Sequence, residues 1–254
     1  AEDSPSEIGE LATCTYGGFR LTDWHHASFI SELKVAYAEL TKAIHYQHTG
    51  AFAHNFYNTI YGGYVGGAEG LAVAIVAGVL LMKATLNGTT FNPGPSHAHL
   101  SCNTFPAMIP SLSLGFQAIS RNTRELVWSL GYIAAGPMTR QFFYESAAYL
   151  AAVISSGVSA QTCHPARALL NDHVTPMEMA GSVEINRACV GMSRVQANEL
   201  VGELLPKYED NLDRDCAGKR YQDCYDVDTG RPSQQYVDLY AKVKEELAAM
   251  GFRL

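Results

Sequence analysis

The sequence predicts an α/β fold with a parallel sheet, and three of its features support that prediction. Short runs rich in β-branched and aromatic residues alternate with longer runs whose apolar residues recur at helical spacing. The alternation repeats five times with short connections, a pattern typical of parallel strands joined by helical crossovers. The chain has 254 residues, of which 47% are hydrophobic, so it can bury the core of one large domain or an uneven pair.

The five predicted βα units follow one another along the chain. Strands are predicted over residues 13–19, 51–57, 89–92, 126–132 and 158–163, and helices over 23–47, 69–86, 105–120, 139–155 and 176–190. The first helix is placed by Asp23 as its N-cap and by apolar residues at helical spacing, namely Phe29, Leu33, Tyr37, Leu40 and Ile44. The glycine-rich segment 61–67 matches no known phosphate-binding pattern, so we expect a tight turn rather than a phosphate cradle.

The chain divides into two regions with different sequence patterns. Parallel βα repeats of this kind build the TIM (β/α)8 barrel, but five units do not close eight strands, and an open array leaves two sheet edges unpaired. Beyond Met192 the repeats give way to two charged amphipathic helices, Arg194–Tyr208 and Gln234–Met250, around a polar stretch. We therefore expect a βα barrel portion over 1–192 and a C-terminal helical appendage over 193–254.

Composition excludes several classes of protein. The net charge is −7 and basic residues are scattered, so neither nucleic acid nor an anionic membrane is an expected partner. The longest apolar run, Leu71 to Met82, is short for a membrane span and is closed by Lys83. The first residues do not resemble a signal peptide, and the six cysteines form no CxxC pair. Reduced thiols and a cytoplasmic location are the expectation.

Several segments resemble the monomethylamine:corrinoid methyltransferases, the pyrrolysine-containing methylamine methyltransferase family. The resemblance covers essentially the whole chain, corresponds to the C-terminal half of the family, and depends on no single motif. The segments that show it are KRYQDCYDVDTGRPS at 219–233, GGYVGG at 62–67, AGPMT at 135–139, TPME at 175–178 and TDWHH at 22–26.

The resemblance implies a TIM-barrel enzyme that moves a methyl group from a small methylated substrate to the cobalt of a cognate corrinoid protein. It implies that the family's pyrrolysine, an electrophile for the amine, would lie upstream of Ala1. It also implies that the corrinoid is carried by the partner protein, so that this chain itself binds no cofactor, and that the enzyme is a homo-oligomer.

The resemblance also places candidate site residues. The family surrounds pyrrolysine with two glutamates, a glutamine and a tyrosine; the tyrosine is kept as Tyr132, and the other three align with His26, Phe56 and Leu130. Tyr132 and His26 are thus the candidate catalytic residues, with Phe56 and Leu130 at the substrate. Because Phe and Leu cannot pair with an ammonium group, a less polar methyl donor or a lost activity fits these substitutions better.

The residues themselves add further candidates and two alternatives. His25 and Asn55 lie near predicted strand ends and are expected to contact substrate. If imidazoles after several strands converged on zinc, the chain would be a metal-dependent barrel enzyme; those histidines are His54, His97, His99 and His164. We expect solvated loop histidines instead, and no metal. The other alternative is a non-catalytic relative that associates with a methyltransferase partner.

Overall fold

The computed structural model describes residues 6–16, 18–29 and 33–254. The strands are β1 (Trp24–Phe29), β2 (Phe52–Tyr57), β3 (Ile60–Tyr61), β4 (Thr90–Pro93), β5 (Ser96–His97), β6 (Leu126–Tyr132) and β7 (Ser159–His164). The helices are α1 (Glu7–Tyr16), α2 (Tyr37–Thr49), α3 (Ala68–Thr85), α4 (Met108–Asn122), α5 (Arg140–Ser155), α6 (Pro176–Cys189), α7 (Arg194–Leu204), α8 (Tyr221–Cys224) and α9 (Gln234–Met250).

One five-stranded parallel sheet organises the fold, in the order β1-β2-β4-β6-β7. Its order follows the chain, and since βα crossovers are right-handed, the crossover helices lie together on one face of the sheet. β3 and β5 form a separate parallel pair just beyond β2 and β4. The predicted fold of parallel βα repeats is confirmed, and β1 and β7 are the sheet's edges within the described residues.

The first βα unit differs from its prediction. The segment predicted as a strand over 13–19 ends helix α1, and the segment predicted as one helix over 23–47 holds strand β1 and most of α2. Gly17, in the predicted strand, and residues 30–32, in the predicted helix, lie outside the described residues. Asp23 does not cap a helix; its carboxylate accepts a hydrogen bond from the Arg20 backbone N–H at 2.9 Å and closes the turn before β1.

The apolar spacing used for the first helix marks the buried face of α2 only in part. Leu40 packs against the core, but Tyr37 and Ile44 are 89% and 56% exposed, while Lys42, Ala43 and Tyr46 are buried. Tyr46 is buried because its hydroxyl donates to the His26 carbonyl of β1, and its ring packs on His25. Contacts between α2 and β1 therefore decide the orientation of α2.

The glycine-rich segment 61–67 forms the predicted tight turn. Gly62 and Gly66 adopt φ of 74° and 69°, the left-handed region that glycine tolerates. The Gly62 N–H donates to the Gly66 carbonyl at 2.8 Å, which closes the loop on itself ahead of α3.

Helix α3 is the described helix that is long and apolar enough to cross a bilayer by length and composition alone. It extends beyond the apolar run considered in the sequence. One side of the helix is buried in the core through Leu71, Ile75, Val79 and Met82, and Tyr57 of β2 donates its hydroxyl hydrogen bond to backbone carbonyls of α3. The core helix of a barrel wall passes the same test of length and hydropathy.

The C-terminal segment packs on the same core as the βα units. The Tyr208 hydroxyl donates to the Thr104 carbonyl at 3.0 Å. The backbone N–H of Gly136 donates to the Cys216 carbonyl at 2.8 Å, just after β6. These bonds join the C-terminal segment to the loops at the carboxyl ends of the strands, and a domain boundary at residue 192 stays a prediction.

The cap of α6 makes stability depend on pH. Thr175 and Glu178 form a capping box, and burial raises the pKa of Glu178 from 4.5 to about 7. The stability that the bound proton contributes is fully present below pH 4.5 and is lost as the pH rises through about 7. Between pH 4.5 and 8, we expect the free energy of unfolding of the parent to fall by roughly 3 kcal/mol more than that of Glu178→Gln, which resembles the protonated form.

Urea unfolding at the two pH values measures this difference, with Glu184→Gln as the matched control because Glu184 lies on the same helix with a side chain 40% exposed. Parallel pH profiles for the parent and Glu178→Gln would refute the assignment.

Candidate active site

The candidate site lies on the inner face of the sheet, the face opposite the helices. The register of the parallel pairs puts even-numbered residues of β1, β2, β4 and β6 on this face. Odd-numbered residues face the helices: Tyr57 bonds to α3, and the Ser129 hydroxyl accepts from Tyr149 of α5. The inner-face residues are Trp24, His26, Ser28, Phe52, His54, Phe56, Thr90, Asn92, Leu126, Trp128, Leu130, Tyr132 and, on β7, His164.

An aromatic cluster fills the inner face near the amino ends of the strands. The His54 ring stacks on Trp128 with centroids 4.6 Å apart and on Trp24 at 5.2 Å. His26 meets His54 edge-on at 4.6 Å, and His54 Nδ1 lies 2.9 Å from the Thr90 hydroxyl. His26 is therefore held in this cluster, level in the sheet register with the first residue of β6.

Tyr132 and His164 lie side by side at the carboxyl ends of β6 and β7. They pair in the register, with ring centroids 6.3 Å apart. Burial raises the pKa of the Tyr132 phenol and lowers the pKa of His164. At neutral pH the site thus offers a protonated phenol and an uncharged imidazole, whose Nε2 is buried with no hydrogen-bond partner among the described residues.

Asn92 is a polar group that the sequence analysis missed. It is fully buried, and neither its amide oxygen nor its amide nitrogen has a hydrogen-bond partner within the described part of the chain. It registers with Phe56 across the β2–β4 pair. Since a buried amide without partners is costly, such a group is a candidate for contacting a ligand. The strict alternation of the third predicted strand could have placed it on the inner face.

Phe56 and Leu130 make the centre of this face apolar. Both are half-buried on the inner face, and neither side chain has a hydrogen-bonding group. A Cβ at Gly94 would lie 2.5 Å from the Phe56 ring, so the ring packs directly on the backbone that follows β4. Tyr132, Phe56 and Leu130 thus lie on one face of the sheet, together with Asn92 and His164.

His25 and Asn55 lie on the opposite, helix-covered face. The Asn55 amide donates to the Ala27 carbonyl at 2.9 Å and accepts from the Gly88 N–H at 2.9 Å, which ties β1 to the turn before β4. His25 is fully buried, with Nδ1 2.7 Å from a Glu10 carboxylate oxygen. Both side chains form hydrogen bonds within the fold on the face away from Tyr132, where they do not contact a donor bound on the inner face.

The histidines considered for a zinc site do not form one. Among the described residues, one group of His, Cys, Asp or Glu side chains lies close enough together to share a metal ion. It contains none of His54, His97, His99 or His164. His97 Nδ1 instead accepts the backbone N–H groups of His99 and Leu100, each at 3.2 Å, and so stabilises its own loop.

Comparison with known proteins identifies the family. A family model described as "Monomethylamine methyltransferase MtmB" matches residues 1–252, nearly the whole chain. The chain belongs to the MtmB family. The family is one of methyltransferases, which confirms the resemblance predicted from the sequence.

Known MtmB proteins are about twice as long as this chain. MtmB2 of Methanosarcina acetivorans is 28% identical over 251 residues, which cover 98% of this chain and 55% of the relative. MtmB of Methanosarcina mazei is 27% identical over the same shares. The chain therefore spans about half the length of the curated MtmB relatives it matches, and corresponds to their C-terminal half.

Solved MtmB structures share the fold. The crystal structure of the Methanosarcina barkeri monomethylamine methyltransferase MtmB superposes with a TM-score of 0.93 at 26% identity, over 100% of this chain and 56% of that one. A crystal structure described as the hydroxylamine MtmB complex matches with the same TM-score. This chain and the matched part of the MtmB structures therefore share one fold, which in this chain includes the five-stranded parallel sheet.

Proposed function

We propose that this chain forms the donor-facing wall of a methyltransferase that moves a methyl group from a small methylated donor to the cobalt of a corrinoid protein. Membership of the MtmB family supports the class of reaction. The observation that carries the proposal is the position of Tyr132 on the inner face at the carboxyl end of β6, where barrel enzymes hold their functional groups. A corrinoid protein and further copies of the enzyme are the proposed partners.

The uncharged polar groups on this face suit a hydrogen-bonding role. In the transfer, the methyl carbon leaves the donor heteroatom, which keeps the electron pair of the broken bond. A protonated phenol such as Tyr132 can donate a hydrogen bond to that heteroatom as negative charge develops. The Asn92 amide and the uncharged His164 imidazole can hold the rest of the donor without a charge of their own.

The apolar centre of the face indicates the chemistry of the donor. The family resemblance puts glutamates and a glutamine at the positions of His26, Phe56 and Leu130, and an ammonium group would pair with those carboxylates. Here Phe56 and Leu130 offer neither charge nor hydrogen bonds. We propose a donor less polar than methylammonium.

A methyl-transfer assay tests this proposal. The purified enzyme is mixed with a panel of corrinoid proteins and with methylamines, methanol or dimethyl sulfide, and methylation of cobalt is followed by absorbance. We expect a donor other than monomethylamine to give a kcat/KM at least about tenfold higher, because an apolar pocket discriminates against charge.

Reactions without the corrinoid protein are the control. Monomethylamine as the preferred donor would contradict the proposed donor class. Cobalt that stays unmethylated with every donor would contradict the methyltransferase assignment and favour a non-catalytic relative.

A further inference from the structure

Three side chains that can ligate a metal ion lie together on the helix-covered face, away from the candidate active site. Glu10 and Cys14 are four residues apart on α1, so they point to the same side of the helix. His25 of β1 faces them from the sheet. Cys14 Sγ lies 3.3 Å from Glu10 Oε1 and 3.5 Å from His25 Nδ1, and Glu10 Oε1 lies 2.7 Å from His25 Nδ1.

We propose that Glu10, Cys14 and His25 bind a divalent transition-metal ion, and that the ion is zinc. Thiolate, imidazole and carboxylate are the ligands that zinc takes in proteins. Tetrahedral zinc at its usual bond lengths separates such ligand atoms by about 3.3–3.6 Å. Two of the three separations here already have that length, and the third needs to open by roughly 0.6 Å as the ion replaces a hydrogen bond.

The surroundings of His25 prepare it to be a ligand. Its Nε2 lies 2.8 Å from the Arg20 carbonyl, an oxygen that can only accept, so Nε2 carries a proton. In the neutral ring Nδ1 is then the unprotonated nitrogen, and it is the one that faces Glu10 and Cys14. Metal-binding histidines characteristically have their second nitrogen fixed in this way by a backbone carbonyl.

The charges balance when the ion is bound. A carboxylate, a thiolate and a neutral imidazole carry two negative charges, which a divalent cation neutralises. Without the ion, a proton must lie between His25 Nδ1 and Glu10 Oε1, which are 2.7 Å apart, and the same carboxylate oxygen accepts a hydrogen bond from the Cys14 thiol. With the ion, the net charge of the site stays at zero, which keeps the cost of burial low where Glu10 and His25 are fully buried.

A small cavity borders Glu10 on the side of α2. It has a volume of about 170 Å³, lies between α1 and α2, and is lined by Glu10 and His45 among others. Glu10 Oε2 and His45 Nε2 are both buried with no hydrogen-bond partner in the described ranges. A water molecule in the cavity would find hydrogen-bond partners in these two atoms, one of which belongs to a proposed metal ligand. Lys42, a cation that also lines the cavity, is paired with Glu39 at 3.2 Å.

Cobalt and zinc titrations of the purified chain test the site. We expect one equivalent of Co²⁺ to bind with a thiolate-to-cobalt charge-transfer band, and Zn²⁺ to displace it with a Kd below about 1 µM. Cys14→Ser should abolish the band, and His25→Gln should weaken binding at least about 100-fold, beyond the effect of losing an outer partner. Cys216→Ser, the least buried of the other cysteines, and the exposed His48→Gln are controls that should bind like the parent.

Alkylation of the unaltered chain provides a measurement that does not depend on variants folding. Bound zinc should protect Cys14 from iodoacetamide by at least about tenfold, as judged by mass spectrometry of its peptide. No charge-transfer band in the parent, a band retained in folded Cys14→Ser, or alkylation of Cys14 unaffected by zinc would each overturn the proposal. None of these readouts depends on methyl transfer, so the site is tested separately from the proposed activity.

Discussion

Replacing Glu145 with alanine is expected to lower the free energy of unfolding by about 4 kcal/mol, the largest stability change we predict. The Glu145 carboxylate is fully buried and accepts hydrogen bonds from the backbone N–H groups of Ala134 and Ala135, at 2.9 and 3.1 Å. It also accepts from the Thr104 hydroxyl and the Gln141 amide. Alanine would leave several buried donors without an acceptor, each costing roughly 1–3 kcal/mol.

Urea unfolding with a matched surface variant measures this effect. Glu184 pairs with Lys244, with side chains 40% and 35% exposed, so Glu184→Ala should cost less than about 1 kcal/mol. Glu145→Gln keeps one acceptor oxygen and should fall between the two. Equal losses for Glu145→Ala and Glu184→Ala would show that the carboxylate does not hold the loop after β6.

Removing the Tyr132 hydroxyl is expected to reduce kcat/KM for the preferred methyl donor by about 100-fold, the largest effect we predict on activity. Burial raises the pKa of this phenol, so it remains a hydrogen-bond donor at neutral pH. A donor aimed at the leaving heteroatom acts mainly in the transition state, so the loss in Tyr132→Phe should appear in kcat more than in KM.

The exposed tyrosine Tyr37 provides the control, since it is 89% exposed and lies on α2 away from the inner face. Tyr37→Phe should leave both kinetic constants unchanged. If Tyr132→Phe also left kcat and KM unchanged in a folded enzyme, the phenol would have no part in the reaction.

The later βα units could be predicted from the sequence because their patterns are local. The strand predicted over 126–132 and the helix predicted over 234–250 have the observed bounds. The first unit could not, because long-range contacts decide it. His25 is held by Glu10 of α1, and α2 is oriented by Tyr46, whose hydroxyl bonds to the His26 carbonyl of β1. No window of neighbouring residues contains those contacts.

The candidate site was predictable in part, and its errors have one cause. Adjacent residues of a strand point to opposite faces. A strand predicted without its register therefore does not show which of two neighbouring residues faces the site. His26 and Phe56 face the inner side while His25 and Asn55, one position earlier, face the helices. Asn92 was missed because its significance is its burial without partners, which depends on how β4 is covered.

An exchange of donor specificity tests most directly whether Phe56, Leu130 and Tyr132 face the same donor. The variant that combines Phe56→Glu and Leu130→Gln introduces the groups that the family resemblance puts at these half-buried positions. The ratio of kcat/KM for monomethylamine to that for the preferred donor should rise at least about tenfold. A folded double variant with an unchanged or lower ratio would contradict a donor site on this face.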